Sequence, residues 1–418
     1  MSGARSKIGI LSLGCPRNLV DSEGILSRLK IKGYDIVDID KAQVAIINTC
    51  SFIDEAKKES IEAILDVARL KKQGTLKKII VYGCLTQRYK NALVKELPEV
   101  DAFVGKVCLD PGQEQVLLTP GHYAYMKICE GCVNSCSYCV IPKIKGRFVS
   151  LDIDSLVKKA GIFDIAGVKE LNIIGQDITG YGLDLYGKRK LPELIKRLLK
   201  VAKNIGWLRL LYLFPGDIIN ELLEIIIEEP RVCKYVDLPL QHINDRILKL
   251  MRRGTNKSEL LRLIEKIREK APAVAIRTAF ITGFPSETEA EFKELLDFVK
   301  EARFERLGVF IYSREEGTAA YRLKGQIPRA VKAARFDQLM RTQQEVSRLN
   351  NEKLLGKVIK VLIDEKEGDS YIARSEYDAP EVDGQVYVRS KRLLKPGDFV
   401  EARIIDTMEY DLVGETVE

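Results

Sequence analysis

Cys132-Val-Asn-Ser-Cys136-Ser-Tyr-Cys139 puts three thiols on one short loop. Three thiolates so placed can hold three irons of a cubane 4Fe-4S cluster, leaving the fourth iron without a protein ligand and open to a small molecule. An open iron implies chemistry rather than electron storage. The alternative is a zinc knuckle, but structural zinc normally closes with four ligands, and the nearest histidine, His122, lies ten residues upstream of Cys132. A second set is dispersed: Cys15, Cys50 and Cys84 close the segments ILSLGC, AIINTC and VYGC, each an apolar, strand-like run. In a parallel sheet such strand ends share one edge, so three thiols distant in sequence can meet at one crevice. That predicts a second three-thiolate cluster site; the alternative is three buried, inert cysteines. Gly14 and Gly83, directly before two of these cysteines, would let backbone approach a bulky cluster.

The rest of the chain leaves sulfur as the main chemical resource. There are nine cysteines, an odd number, and only two histidines, His122 and His242, in 418 residues. Hydrophobic content of 46% and charged content of 30% are ordinary for a soluble protein, and no apolar run reaches the roughly 18 residues of a membrane span. The first residues, MSGARSKIGILS, have too short an apolar stretch for a signal peptide. The expectation is a cytoplasmic protein whose reduced thiols serve metal binding, redox chemistry or burial.

Positioning these cysteines requires strands, and the pattern supplies three groups of them. KIGILSL from Lys7, QVAIIN from Gln43 and KKIIVYG from Lys77 alternate with helical stretches such as Asp54 to Leu70, predicting a small α/β unit with a largely parallel sheet. After the turn signals Pro111-Gly112 and Pro120-Gly121 come YAYMKI, ELNIIG, LRLLYL, KYVDL, VAIRTAFI and GVFIY, with amphipathic stretches between them, for example Leu191 to Ala202 and Glu287 to Glu301. This predicts an incomplete or full parallel (β/α) barrel, with its chemistry at the C-terminal strand ends, where the Cys132 loop falls. A long helix, about Arg329 to Leu355, leads into short β-branched runs expected of a small antiparallel barrel. The expected domains are 1–118, 119–345 and 346–418.

CVNSCSYC after a first barrel strand resembles the signature of the radical S-adenosylmethionine enzymes, in which the open iron binds the cofactor's amino and carboxylate groups. Reductive cleavage there yields a 5′-deoxyadenosyl radical. With the second cysteine set and the domain order, nearly the whole chain resembles the methylthiotransferases: an N-terminal three-cysteine domain, a radical barrel and a C-terminal OB-like barrel of the TRAM type. The wording is most similar to the branch that methylthiolates an aspartate of small-subunit ribosomal protein twelve, carried by LGCPRNLVDSEG, INTCSFIDEAKKES, EGCVNSCSYCVIPKIKGR, GQDITGYG, LRLLYLFP, PLQH, MRRG, RTAFITGFPSETE, YSREEGTAA and EYDLVGE. Cys129, directly before the Glu130-Gly131-Cys132 turn, departs from the family pattern; it either competes for iron or packs in the first strand. The resemblance implies two 4Fe-4S clusters, held by Cys15, Cys50 and Cys84 and by Cys132, Cys136 and Cys139. It also implies two molecules of S-adenosyl-L-methionine, one as methyl donor and one as radical source, and an external reductant of flavodoxin or ferredoxin type. The radical takes a β-hydrogen from the aspartate, whose C–H is too weak an acid for a side-chain base.

By family analogy Gly175, Gln176, Asp177, Gln241 and Gly283, all at strand ends, are candidates for cofactor contacts. Against this, Gln176 and Asp177 also read as a turn that caps the next helix. Phe284-Pro285 reads either as an adenine face or as loop packing, and Tyr138 and Ile141-Pro142 as a shield for the cluster loop. Cys108 and Cys233 match no ligand pattern. His242 either orients a ligand or is a lone core histidine.

Charge bears on the partner. Lys and Arg exceed Asp and Glu by seven overall, yet Gly356 to Glu418 holds nine basic against fifteen acidic residues. An RNA partner would favour a basic terminal barrel. The acidic one, with Asp364, Glu365, Glu367, Asp369, Glu376, Asp378, Glu381 and Asp383 crowded together, suits a basic ribosomal protein, the alternative being solvated surface charge. Basic residues such as those of MRRG leave a ribosomal RNA contact open. The rivals are a tRNA-modifying, MiaB-like enzyme and a cluster-bearing ribosome-binding module without turnover.

Overall fold

Ile, Val and Ala runs of six residues, too short for helices, form Lys7–Ser12, Val44–Thr49 and Lys78–Gly83. In the computed structural model, which describes residues 6–105, 116–216 and 218–417, they are the centre of a five-stranded parallel sheet, flanked by Asp35–Ile36 and Ala102–Val104. The two short edge strands carry too little pattern to be read from sequence. Helices Pro16–Ile31, Asp54–Lys72 and Cys84–Glu96 cross between strands. Cys108 and Pro111-Gly112 lie outside the described residues.

The central domain realises all six expected strands: Tyr123–Lys127, Glu170–Ile174, Trp207–Leu210, Tyr235–Asp237, Ala275–Thr282 and Arg306–Ile311. Two parallel three-stranded sheets are joined through the Leu208–Val232 bridge, giving an open six-stranded arc in chain order. The helices outside it bury leucine and isoleucine stripes, as in Leu191–Val201, where Leu191, Leu194, Ile195, Leu198 and Leu199 face the core. Helix Arg329–Glu352 continues past residue 345 and carries the chain into the last domain.

The terminal domain is a closed five-stranded barrel. It is not wholly antiparallel: Val386–Arg389 pairs in parallel with Leu412–Thr416. Five strands closing on themselves cannot alternate direction all the way round, so one parallel pair is forced.

This barrel caps the N-terminal end of the arc through a polar side chain from each of its six strands. Tyr123 donates to Glu381 (3.0 Å), Arg374 meets Glu170 (2.6 Å), Arg209 donates to the Glu376 carbonyl (2.7 Å) and Tyr235 to Asp383 (2.6 Å). Arg277 pairs with Asp383 (3.2 Å) and Arg306 with Asp378 (2.5 Å). Asp364 accepts from His122 and Arg374, both at 2.7 Å. The acidic cluster is therefore largely turned inward: Asp364, Asp378, Glu381 and Asp383 serve the domain contact, and Glu376 accepts from the Lys234 backbone. Of the eight crowded carboxylates, Glu365, Glu367, Asp369 and Glu381 are exposed, and of these only Glu381 reaches the arc.

Candidate active site

The three N-terminal cysteines occupy one edge of the parallel sheet, each just after its strand. Cys15 precedes helix Pro16–Ile31, with proline at the start of the helix, and Cys84 opens helix Cys84–Glu96. Both thiols thus lie at helix N-termini, where unpaired N–H groups and the dipole favour negative charge. Cys50 is clamped by Ser60, whose Oγ accepts from its N–H (3.0 Å) and donates to its carbonyl (2.9 Å). Gly14 has φ +88, and a Cβ there would lie 2.7 Å from Cys50 Cβ; Gly83 has φ +105, and a Cβ would meet Asn48 Oδ1 at 2.5 Å. What these glycines permit is close approach of the strand ends to each other.

Asn18 ties the three loops together. Its amide nitrogen donates to the Leu13 and Thr49 carbonyls at 3.0 and 3.3 Å, and Cys84 Sγ lies 3.8 Å from its Oδ1. Burial raises the Cys15 thiol, but the Arg17 charge and backbone N–H groups outweigh it and hold the thiol below its ordinary value. Burial and the neighbouring Cys15 push Cys50 up, and burial takes Cys84 to about 12. Cys15 is the thiol most readily ionised of the three.

The second set lies on the loop after Tyr123–Lys127. Asp177 at the end of the next strand fixes it: Oδ1 accepts from Thr179 N (2.9 Å) and Oγ1 (2.5 Å), and Oδ2 from Asn134 Nδ2 (2.6 Å). Asn134 in turn contacts Cys132 Sγ through its backbone N–H at 3.4 Å. Arg253, buried against the Phe214 ring, donates to Pro239 O (2.6 Å) and reaches Cys136 Sγ at 3.6 Å. Burial raises Cys132, and raises Cys139 to about 12.

The two sets meet. Cys84 packs in a small buried cluster with Val140 and Ile144, the former directly after Cys139. Below this contact Asp21 of the N-terminal domain and Glu130 of the barrel enclose Lys127 and Lys145. Burial raises the Glu130 carboxyl, but the two lysines outweigh it and hold the group at about 2. Among the described residues no three His, Cys, Asp or Glu side chains are grouped to share one metal ion. A cubane asks for a different spacing, since each thiolate meets a different iron, and two sets of three thiols could each hold one.

Other expected positions fall out unevenly. Gly175 is buried, and its carbonyl accepts from Arg17 Nη1 at 2.9 Å. Gln176 keeps a buried Oε1 with no partner, as a ligand-facing amide would. Asp177 has both oxygens occupied and acts as a cap. Gln241 has φ +74 and bridges to Phe280 at the strand end. Gly283, with φ +70, lies against Lys332, and Phe284 is fully buried edge-on to Tyr312, which is packing. Tyr138 packs beside that cluster. Cys129 is buried in the barrel core with Sγ toward Asp177 O, and Cys233 is buried in another cluster. His242 is buried too, accepting from Asn244 N at 3.0 Å. Sequence reasoning gave no role to Arg17, Asn18, Asp21 or Arg253; the first three lie beside Cys15 in LGCPRNLVDSEG, and Arg253 lies in MRRG, far along the chain from any cysteine.

Comparison with known proteins finds three family matches along the chain. Residues 7–105 match the uncharacterized protein family UPF0004, residues 126–299 the Radical SAM superfamily and residues 355–417 the TRAM domain. A ribosomal protein uS12 methylthiotransferase RimO of Thermoanaerobacter sp. (strain X514) is 47% identical over 98% of this chain and 99% of its own length. The chain belongs to the RimO family of methylthiotransferases. Its counterpart in Bacteroides fragilis is 44% identical over 99% of this chain and 100% of its own. Among solved structures, the radical S-adenosylmethionine methyltransferase TsrM from Kitasatospora setae superposes with a TM-score of 0.55 at 14% identity, covering 73% of each chain, a likeness of fold alone. Within the RimO family, this chain is a radical S-adenosylmethionine transferase that uses 4Fe-4S clusters and S-adenosyl-L-methionine.

Proposed function

We propose that the chain adds a methylthio group to the β-carbon of an aspartate of ribosomal protein uS12. Cys15, Cys50 and Cys84 would hold one 4Fe-4S cluster and Cys132, Cys136 and Cys139 the other, with Gly175, Gln176, Gln241 and Gly283 as candidate contacts for S-adenosylmethionine and Asp177 holding the loop. The observation that carries the reading is the apposition of the two thiol sets, through Cys84 on Val140 and Ile144. When bound, the clusters and cofactor supply the radical that removes a hydrogen from an unactivated carbon and the sulfur and methyl group that replace it.

The chain's own part is placement and exclusion of water. Helix N-termini at Cys15 and Cys84 offset the negative charge of one site, and Arg253 and Asn134 offset that of the other. Val140, Ile144 and Tyr138 keep the loop dry. A hydrogen atom is removed rather than a proton, so no general base is assigned.

Further parts of the proposal are the domain limits 1–118, 119–345 and 346–418, a cytoplasmic location, and a reductant of flavodoxin or ferredoxin type. Among the described residues no helix is long and apolar enough to cross a membrane. Docking of basic uS12 on the terminal barrel falls to exposed Glu365, Glu367 and Asp369, with ribosomal RNA reached through basic residues of the body. Reduced, reconstituted protein offered uS12 and tRNA separately, followed by mass spectrometry, tests the reading. Methylthiolated uS12 is expected; modified tRNA with untouched uS12 would overturn it.

A further inference from the structure

Arg17 belongs to the N-terminal domain but is held by the barrel. Its Nη1 donates to the carbonyl of Gly175, just past the second barrel strand, at 2.9 Å, and its guanidinium stacks 4.3 Å from the ring of Tyr212, just past the third. It therefore stands at the mouth of the arc, between the two thiol sets. Its charge acts on Cys15 and Cys50 on one side and on Cys139 on the other. Its Nε is buried without a hydrogen-bond partner.

The other cations of the region are committed. Lys127 and Lys145 are each enclosed by Asp21 and Glu130. Arg253 is fixed by Pro239 and lies beside Cys136 alone, though it too keeps a buried Nε without a partner. Arg17 differs from them by its place, within hydrogen-bonding reach of Cys15 and facing both sets.

On the reading that an aspartate is modified between the two sets, we infer that Arg17 receives the carboxylate of the substrate aspartate and fixes its β-carbon between them. The carboxyl carbon is bonded directly to the reacting carbon, so holding one orients the other. Arginine is the side chain suited to a planar carboxylate, because its fork of donors matches the two oxygens. The Gly175 and Tyr212 contacts hold the fork in place before substrate arrives, which reduces the ordering cost of binding. Arg17 is thereby the residue that distinguishes an acidic side chain from a neutral one of the same shape.

The test compares wild type, Arg17→Met and Arg17→Lys, each reconstituted and assayed for iron, in binding uS12 and uS12 carrying asparagine in place of the modified aspartate. Wild type is expected to prefer the aspartate form by about tenfold to a hundredfold, the range of a charge-assisted hydrogen bond. Arg17→Met, holding wild-type iron, is expected to bind both forms alike, and Arg17→Lys to regain part of the preference. Arg17→Met that keeps the preference overturns the inference. So does Arg17→Met that loses iron, which would make Arg17 a support for the Cys15 site. Wild type that modifies no uS12 overturns instead the function on which the inference rests.

Discussion

Cys84 Sγ lies 3.8 Å from Oδ1 of Asn18, a residue whose amide nitrogen also donates to the backbone of Leu13 and Thr49, the approaches to Cys15 and Cys50. One side chain thus sets the spacing of three thiols that are far apart in sequence.

Asn18→Leu keeps the volume and removes those donors. Each buried carbonyl left unpaired costs about 1 to 3 kcal/mol, concentrated on the loops that carry the thiols. The variant is expected to retain about half the wild-type iron, in the Cys132 set, by iron and sulfide analysis after anaerobic reconstitution. Full iron would reduce Asn18 to a packing residue.

Cys129→Ala is the contrasting case. Its sulfur lies in the barrel core toward Asp177 O. Iron content should equal that of wild type, with a loss of stability of about 1 kcal/mol. A drop in iron would make Cys129 a ligand.

Arg374 joins Glu170 of the barrel arc at 2.6 Å and Asp364 at 2.7 Å, all buried or nearly so. Arg374→Met takes one cation from two carboxylates that each keep a second partner, Glu170 with Arg209 at 2.8 Å and Asp364 with His122 at 2.7 Å, so the cost should stay below the roughly 3 to 5 kcal/mol of a fully broken buried pair. Urea unfolding should show the fall. Replacing Glu170 by an apolar residue as well should deepen it, because that strands the buried Arg209 guanidinium.

His242 gives a pH signature. Burial, followed by opposing and reinforcing charges around it, lowers its pKa to about 4, against about 6.5 when unfolded. The unfolded chain therefore binds the extra proton first, so this histidine contributes stability above pH about 6.5 that is lost as pH falls toward about 4. The urea midpoint of wild type should decline through that window more steeply than that of His242→Gln. Parallel slopes would contradict the assignment.

Much of this architecture was legible from strand patterns, because the six arc strands and the three strand-terminal cysteines each carry their own local signal. Polar tertiary contacts carry none. Arg17 and Asn18 read as ordinary residues at the start of a helix until the fold brings Gly175 and Thr49 beside them. The acidic run from Asp364 to Asp383 was visible as charge, but its direction was not: Asp378 and Asp383 face Arg306 and Arg277 because the terminal barrel caps the arc, a relation no local pattern encodes. The capping role of Asp177 was legible as one of two readings, and its bond to Asn134 selects it.

The central claim is that two cysteine sets hold two neighbouring clusters. Electron paramagnetic resonance of the reduced, reconstituted protein tests it most directly, with the triple variant Cys15→Ala, Cys50→Ala, Cys84→Ala as reference. Wild type should show spin–spin interaction between two reduced clusters, and the triple variant an isolated cluster with about half the iron. Equal iron and identical spectra from both proteins would contradict the account.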